Sequence, residues 1–112
     1  MKLDMATLPQ LLRQHAKATP DRLSQRHKDR GIWREYTFAE VERNVRELAL
    51  GLHQAGAKAG ETIAIIGENE PQHYWAEFAA HVLGCKVVSM YPDLISEEVA
   101  YLLDDSEAVI LF

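Results

Sequence analysis

Scarcity is the first guide to this chain. Cys85 is its only cysteine in 112 residues, so no internal disulfide can staple the fold. A lone thiol fits a reducing cytoplasm, and its apolar surroundings predict a small buried side chain rather than a reactive nucleophile. No apolar run approaches the ~20 residues of a membrane helix. The N-terminus does not read as a secretory signal, because Asp4 interrupts it and Pro9 follows. Basic charge is short as well: 12 Lys and Arg stand against 17 Asp and Glu, a net −5. That balance argues against a nucleic-acid or anionic-membrane partner.

Catalytic motifs are equally scarce. The six glycines contain no Gly-x-Gly-x-x-Gly. Gly51, Gly56 and Lys58 approximate a phosphate loop, yet the lysine is displaced by one position. The segment also runs helix to strand, where a phosphate loop runs strand to helix. His15, His27 and His53 are isolated, and no Ser–His–Asp or Cys–His set can be assembled. His73, Glu77 and His81 fall at i, i+4, i+8 on one stripe of a predicted helix. The two histidines are then separated by about 12 Å of helical rise, too far for one ion. The stripe lies opposite the apolar face, which predicts solvated side chains. The sequence therefore assigns no catalytic, cofactor-binding or metal-binding residue.

What is present is a series of short, well-punctuated elements. Thr7-Leu8-Pro9-Gln10 has capping-box spacing and opens a helix carrying Leu8, Leu11, Leu12 and Ala16, which Thr19-Pro20 ends. Arg22 to Lys28 and Ile32 to Tyr36 flank Asp29-Arg30-Gly31, a predicted hairpin with Gly31 at positive φ. Thr37-Phe38-Ala39-Glu40 is a second capping box. Val41, Val45, Leu48, Ala49 and Leu52 form the buried face of its helix, with Leu50 exposed. Arg43 is placed to pair with Glu47, and Gly56 is a predicted left-handed cap.

From there the rhythm is β-α-β-α-β. Thr62 to Ile66 is apolar and β-branched, as a strand covered on both faces would be. Asn69 or Glu70 caps the next helix, Pro71 sits in its first turn, and Trp75, Phe78, Ala79 and Val82 face the core until Gly84. Val87 to Met90 form a strand, Ser96 caps a helix carrying Val99, Leu102 and Leu103, and Val109 to Phe112 form the last strand. Strands joined by crossover helices imply an α/β fold with a mostly parallel sheet. Ligands of open α/β sheets bind at the C-terminal ends of the strands. Two loops leave such ends, Gly67-Glu68-Asn69-Glu70 and Tyr91-Pro92-Asp93. Glycine, asparagine and proline there also serve simply to turn the chain.

At these residues the sequence takes on a family resemblance. Gly31-Ile32-Trp33 through Tyr36-Thr37-Phe38, Leu50-Gly51-Leu52 to Gly56 and Gly60-Glu61-Thr62-Ile63-Ala64-Ile65 open an ordered set. Gly67-Glu68-Asn69 with Tyr74-Trp75-Ala76-Glu77, Val88 to Pro92, Ser96-Glu97-Glu98-Val99 to Leu103 and Ser106-Glu107-Ala108 complete it. Together they resemble the N-terminal part of AMP-forming acyl-CoA synthetases, most of all the bacterial long-chain fatty-acid–CoA ligases.

The resemblance implies that residues 1–112 are a single partial domain, the N-terminal part of the large AMP-binding domain. A β-hairpin would precede the β-α-β-α-β sheet and its flanking helices. It implies a parent that uses Mg·ATP and coenzyme A to activate a fatty acid through an acyl-adenylate. The family's phosphate loop, Thr-Glu pair and mobile C-terminal domain lie downstream of the matched segment. This chain alone is therefore expected to be an inactive scaffold. Its expected partners are the rest of the parent, or a second copy through exposed apolar surface. The expected location is the cytoplasm, with peripheral membrane contact left open for the parent. Two other readings stay open. One is a standalone α/β interaction module; the other is a small nucleotide-binding protein using the loops at Asn69 and Tyr91.

Overall fold

The computed structural model describes residues 7–112, so the reading at Asp4 lies outside the described residues. Helix α1 (Leu8–Ala18) opens on the Thr7 capping box: the Gln10 N–H donates to Thr7 Oγ1, and the Thr7 N–H to Gln10 Oε1. Strands β1 (Leu23–Asp29) and β2 (Ile32–Thr37) form an antiparallel hairpin. Its turn is one residue tighter than the sequence suggests, because Asp29 pairs with Ile32. Arg30 (φ 52°) and Gly31 (φ 81°) both take positive φ, the conformation that matches the right-handed twist of the strands. The arginine pays for this geometry, and only the glycine was foreseen there.

Helix α2 (Phe38–Gln54) opens on the second box, Thr37 with Glu40, and buries Val41, Val45, Ala49 and Leu52. It ends in a Schellman motif: Gly56 N–H donates to His53 O, and Ala57 N–H to Leu52 O. Leu50 is exposed as expected. The expected Arg43–Glu47 pair is replaced by Arg46 with Glu42 at 3.5 Å. Both pairs have the same spacing; Glu42 lies on the inner flank of the helix, where its side chain is only 20% exposed and its position is better fixed.

Strand β3 (Thr62–Ile66) is the centre of a parallel sheet of order β4-β3-β5, with β4 at Lys86–Met90 and β5 at Ile110–Leu111. Helix α3 (Pro71–Val82) connects β3 to β4, and α4 (Ser96–Ser106) connects β4 to β5. The strand order reverses direction at β3, so right-handed crossovers place α3 and α4 on opposite faces. Ile63, Ile65, Val87 and Ile110 share the face toward α2 and α3 and join their side chains in the core.

The sequence expectations for α3 and α4 are met only in part. The fully buried face of α3 is Ala76, Ala79 and Ala80 with Pro71; Ala79 was expected there, Trp75 and Phe78 pack half-buried against the core as expected, and Val82 is exposed instead. This helix packs against both the sheet and α2, so small side chains at the close approaches define its inner face. Of the two caps expected for α3, Asn69 or Glu70, the structure has Glu70, which makes no side-chain cap bond. Ile95 rather than Ser96 is the N-cap of α4, again without a side-chain bond. Val99, Leu102 and Leu103 are only half-buried, leaving α4 with no fully buried residue.

Helix α4 ends with Glu107 at φ 56°, where Glu107 N–H donates to Asp104 O and Ala108 N–H to Leu103 O. A left-handed position in such a cap favours glycine. Glu107→Gly is therefore expected to stabilise the chain by about 0.5–1 kcal/mol, less than the full conformational penalty because glycine gains unfolded-state entropy. A raised denaturation midpoint is the expected reading; a lowered one would show that the glutamate side chain contributes more than its strained backbone costs.

Candidate functional site

The strand-end loops meet where the parallel-sheet rule places a site. The Gly67 N–H donates to Met90 O at 3.3 Å, carrying the β3–β4 pairing one step past the strands and drawing the two loops together. Between them lies a cavity of about 390 Å³ lined by Gly67, Glu68, Asn69, His73, Tyr74, Glu77, Ser89, Met90 and Tyr91. Asn69 and Tyr91, singled out separately in the sequence, thus line one space. Pro92 and Asp93 are exposed outside it.

Each wall has a local cause. Pro71 starts α3 and turns its first helical positions toward the cavity. One turn in, His73 Nε2 reaches Ser89 Oγ at 3.3 Å, and Nδ1 is buried without a partner. This corrects the expectation of solvation for His73, while Glu77 and His81 keep about a third of their side-chain surface exposed (33% and 34%). Ser89 stands on the same face of β4 as Val87, in register with Ile65, so its hydroxyl reaches His73 of α3 although the residue itself stays exposed. The Tyr74 hydroxyl donates to Asn69 Oδ1, which ties the loop to the helix. Sequence reasoning missed both contacts; a polar residue alternating onto the α3 side of β4 was the available signal for the first.

The chemistry of this cavity is acidic. Glu68 and Glu77 line it, and among the described residues no lysine or arginine does. Only the α3 N-terminus offers positive potential, and two carboxylates oppose it. A polyphosphate needs cations or converging amides, so these residues do not fit one. Among the described residues no group of three His, Cys, Asp or Glu side chains converges to hold a metal. Mg·ATP is accordingly not assigned to this cavity. Along α3, His81 Nε2 lies 3.9 Å from Glu77 Oε1, and its ring lines a separate groove with α1 and α2.

The remaining sequence candidates serve the scaffold. Gly51 lies inside α2, Gly56 caps it, and the Lys58 N–H donates to Glu61 Oε1 at 2.6 Å. His15 stacks on Phe38 with centroids 5.1 Å apart. Cys85 is buried, and its thiol faces Lys58 O at 3.3 Å. Burial, then the nearby Glu61 carboxylate, push that thiol above its ordinary value. A raised thiol pKa favours folding below the ordinary value, and the benefit fades as pH climbs through the folded one. Iodoacetamide should therefore alkylate Cys85 at least about tenfold more slowly in the folded chain than in urea. Equal rates would place the thiol at the surface.

The hairpin and the β4-β3-β5 parallel sheet recur in solved adenylate-forming enzymes. The fatty acid AMP ligase of Legionella pneumophila superposes with a TM-score of 0.88 at 19% identity, over 94% of this chain and 19% of its own. O-succinylbenzoate coenzyme A synthetase of Bacillus subtilis, solved in complex with AMP, gives 0.81 at 30% identity, over 89% of this chain and 25% of its own. The long-chain-fatty-acid–CoA ligase FadD15 of Mycobacterium bovis is 32% identical over 99 residues, 88% of this chain and 16% of the ligase. The profile of the AMP-binding enzyme family matches residues 12–112, and the chain belongs to that family. It spans a quarter or less of the length of these three proteins.

Proposed function

We propose that this chain is the N-terminal part of the large domain of an AMP-forming acyl-CoA ligase whose substrate is a long-chain fatty acid. In the parent reaction the fatty-acid carboxylate attacks the α-phosphate of ATP, expelling pyrophosphate and forming acyl-adenylate. The thiol of coenzyme A then attacks the acyl carbon, forming the thioester and releasing AMP. The family, the preceding relatives and the ordered motifs support the ligase reading; the long-chain assignment draws on the likeness to FadD15.

Within that parent this segment acts as scaffold. The observation that carries this role is the strand-end cavity, whose lining holds two carboxylates and, among the described residues, no lysine or arginine. The same feature counts against an independent nucleotide binder built on Asn69 and Tyr91. Calorimetry should accordingly find no saturable ATP binding that Asn69→Ala or Tyr91→Ala abolishes.

A segment exchange tests the role. Residues 12–112 would replace the matching segment of the Bacillus subtilis synthetase, to which this chain is 30% identical. A scaffold leaves the folded chimera adenylating o-succinylbenzoate and rejecting palmitate. A chimera that switches to palmitate would instead make this segment the selector of the acyl group.

A further inference from the structure

Charge is spread unevenly over this chain, and its two extremes carry matching apolar features. The β1–β2 hairpin holds Arg26, Lys28, Arg30 and Arg34 against Asp29 and Glu35. After Lys86 there is no lysine or arginine, while Asp93, Glu97, Glu98, Asp104, Asp105 and Glu107 follow.

On the hairpin face turned away from α3, Trp33 pairs across the ladder with Lys28 and remains 54% exposed. The Arg26 guanidinium lies 4.3 Å from the Trp33 ring centroid and the Lys28 ammonium 5.8 Å. Arg26 also meets Glu35 at 3.4 Å, which holds the guanidinium in place. The result is an indole knob between two cations, fixed on a sheet rather than on a loose loop. Exposed Trp and Arg side chains of this kind are the usual anchors of protein interfaces.

The start of α4 offers the counterpart. A shallow cavity of about 340 Å³ is lined by Ile95, Glu97, Glu98, Tyr101 and Leu102. Its floor is aliphatic and aromatic, its rim carries two carboxylates, and Ile95 and Tyr101 are more than half exposed. The volume is at the small end of cavities that receive a ligand-sized group.

We propose that the hairpin of one copy docks Trp33 into the α4 cavity of a second copy, with Arg26 and Lys28 facing Glu97 and Glu98. A second copy is the occupant because each chain carries both halves of the match, opposite in charge and apolar at the centre. Each chain is net −5, so this local pairing of opposite charges is what favours contact between two copies. The two surfaces differ, so the contact is head to tail and builds closed rings or open chains according to the rotation between copies. The inference rests on this chain itself and does not depend on the proposed parent reaction.

Sedimentation velocity on the 112-residue chain tests it, comparing about 0.05 M with about 0.5 M salt, where screening shortens the reach of exposed charges. The wild type should associate with rising concentration at low salt and return toward monomer at high salt. Arg26→Glu/Lys28→Glu and Glu97→Lys/Glu98→Lys should each weaken association at least tenfold with unchanged circular dichroism. Mixing the two variants should restore it, because the reversed charges again face opposite partners. Trp33→Ala should weaken it without changing the charge. A wild type that stays monomeric at low salt overturns the proposal on its own. So does association that both charge-reversed variants retain, which would assign the contact to the free edge of β5.

Discussion

Ile63→Ala is expected to destabilise the chain by about 3–5 kcal/mol, the largest effect of any single truncation in this fold. Ile63 is fully buried at the middle strand, paired with Val87 on one side and Ile110 on the other. Removing its outer carbons loses their transfer free energy and leaves a cavity that a three-strand sheet under two helices can close only in part. Small domains hold about 5–15 kcal/mol in total, so this variant should sit near the edge of folding. Urea denaturation should show the midpoint falling sharply with little change in slope, and Ile63→Val should cost only about 1 kcal/mol. A loss under about 1 kcal/mol for the alanine variant would place the core elsewhere than around β3.

Trp75→Ala is the second large effect, about 3 kcal/mol, and it should be felt first in the hairpin. The Trp75 indole N–H donates to Gln25 Oε1 at 2.7 Å, and its ring meets Tyr36 edge-on with centroids 5.0 Å apart. These contacts fasten β1 and β2 to α3, because the hairpin contributes no fully buried side chain of its own. Two strands alone are marginal in water. Hydrogen exchange should show the β1–β2 amides losing protection while those of β3 keep theirs. Trp75→Phe, which keeps a ring and loses the donor, should cost about 1 kcal/mol. Uniform loss of protection over both sheets would mean that hairpin and parallel sheet unfold as one unit.

The parts of this fold that were legible in the sequence are the local ones. Thr7 with Gln10 and Thr37 with Glu40 announce helix starts because both partners of each cap lie within one turn. Thr62 to Ile66 announces a doubly covered strand because it is apolar on both faces. Leu50, breaking the apolar face of α2, was placed correctly in solvent for the same reason.

What was misread depended on partners distant in sequence. Periodicity placed Trp75, Phe78 and Ala79 of α3 against the core correctly but added Val82, which is exposed. Close packing on two sides selected Ala76 and Ala80 instead, and hydrophobicity alone does not register that demand for small size. The His73–Ser89 contact joins residues 16 apart and exists only once β3 and β4 are in register. Ser96 has the side chain of a cap, yet the chain enters α4 one residue earlier, at Ile95. The strand-end site was legible as a place, from the parallel-sheet rule and Gly67 to Asn69. Its acidic lining was not, since Glu77 reaches it only through the pitch of α3.

ATP–pyrophosphate exchange with palmitate, on the purified chain shown by circular dichroism to be folded, tests the scaffold reading most directly. The expected rate equals that of the protein-free blank, because the residues at the strand ends offer no cation for a polyphosphate. Exchange above the blank, lost on heating the sample, would contradict it and place a working adenylation site within these 112 residues.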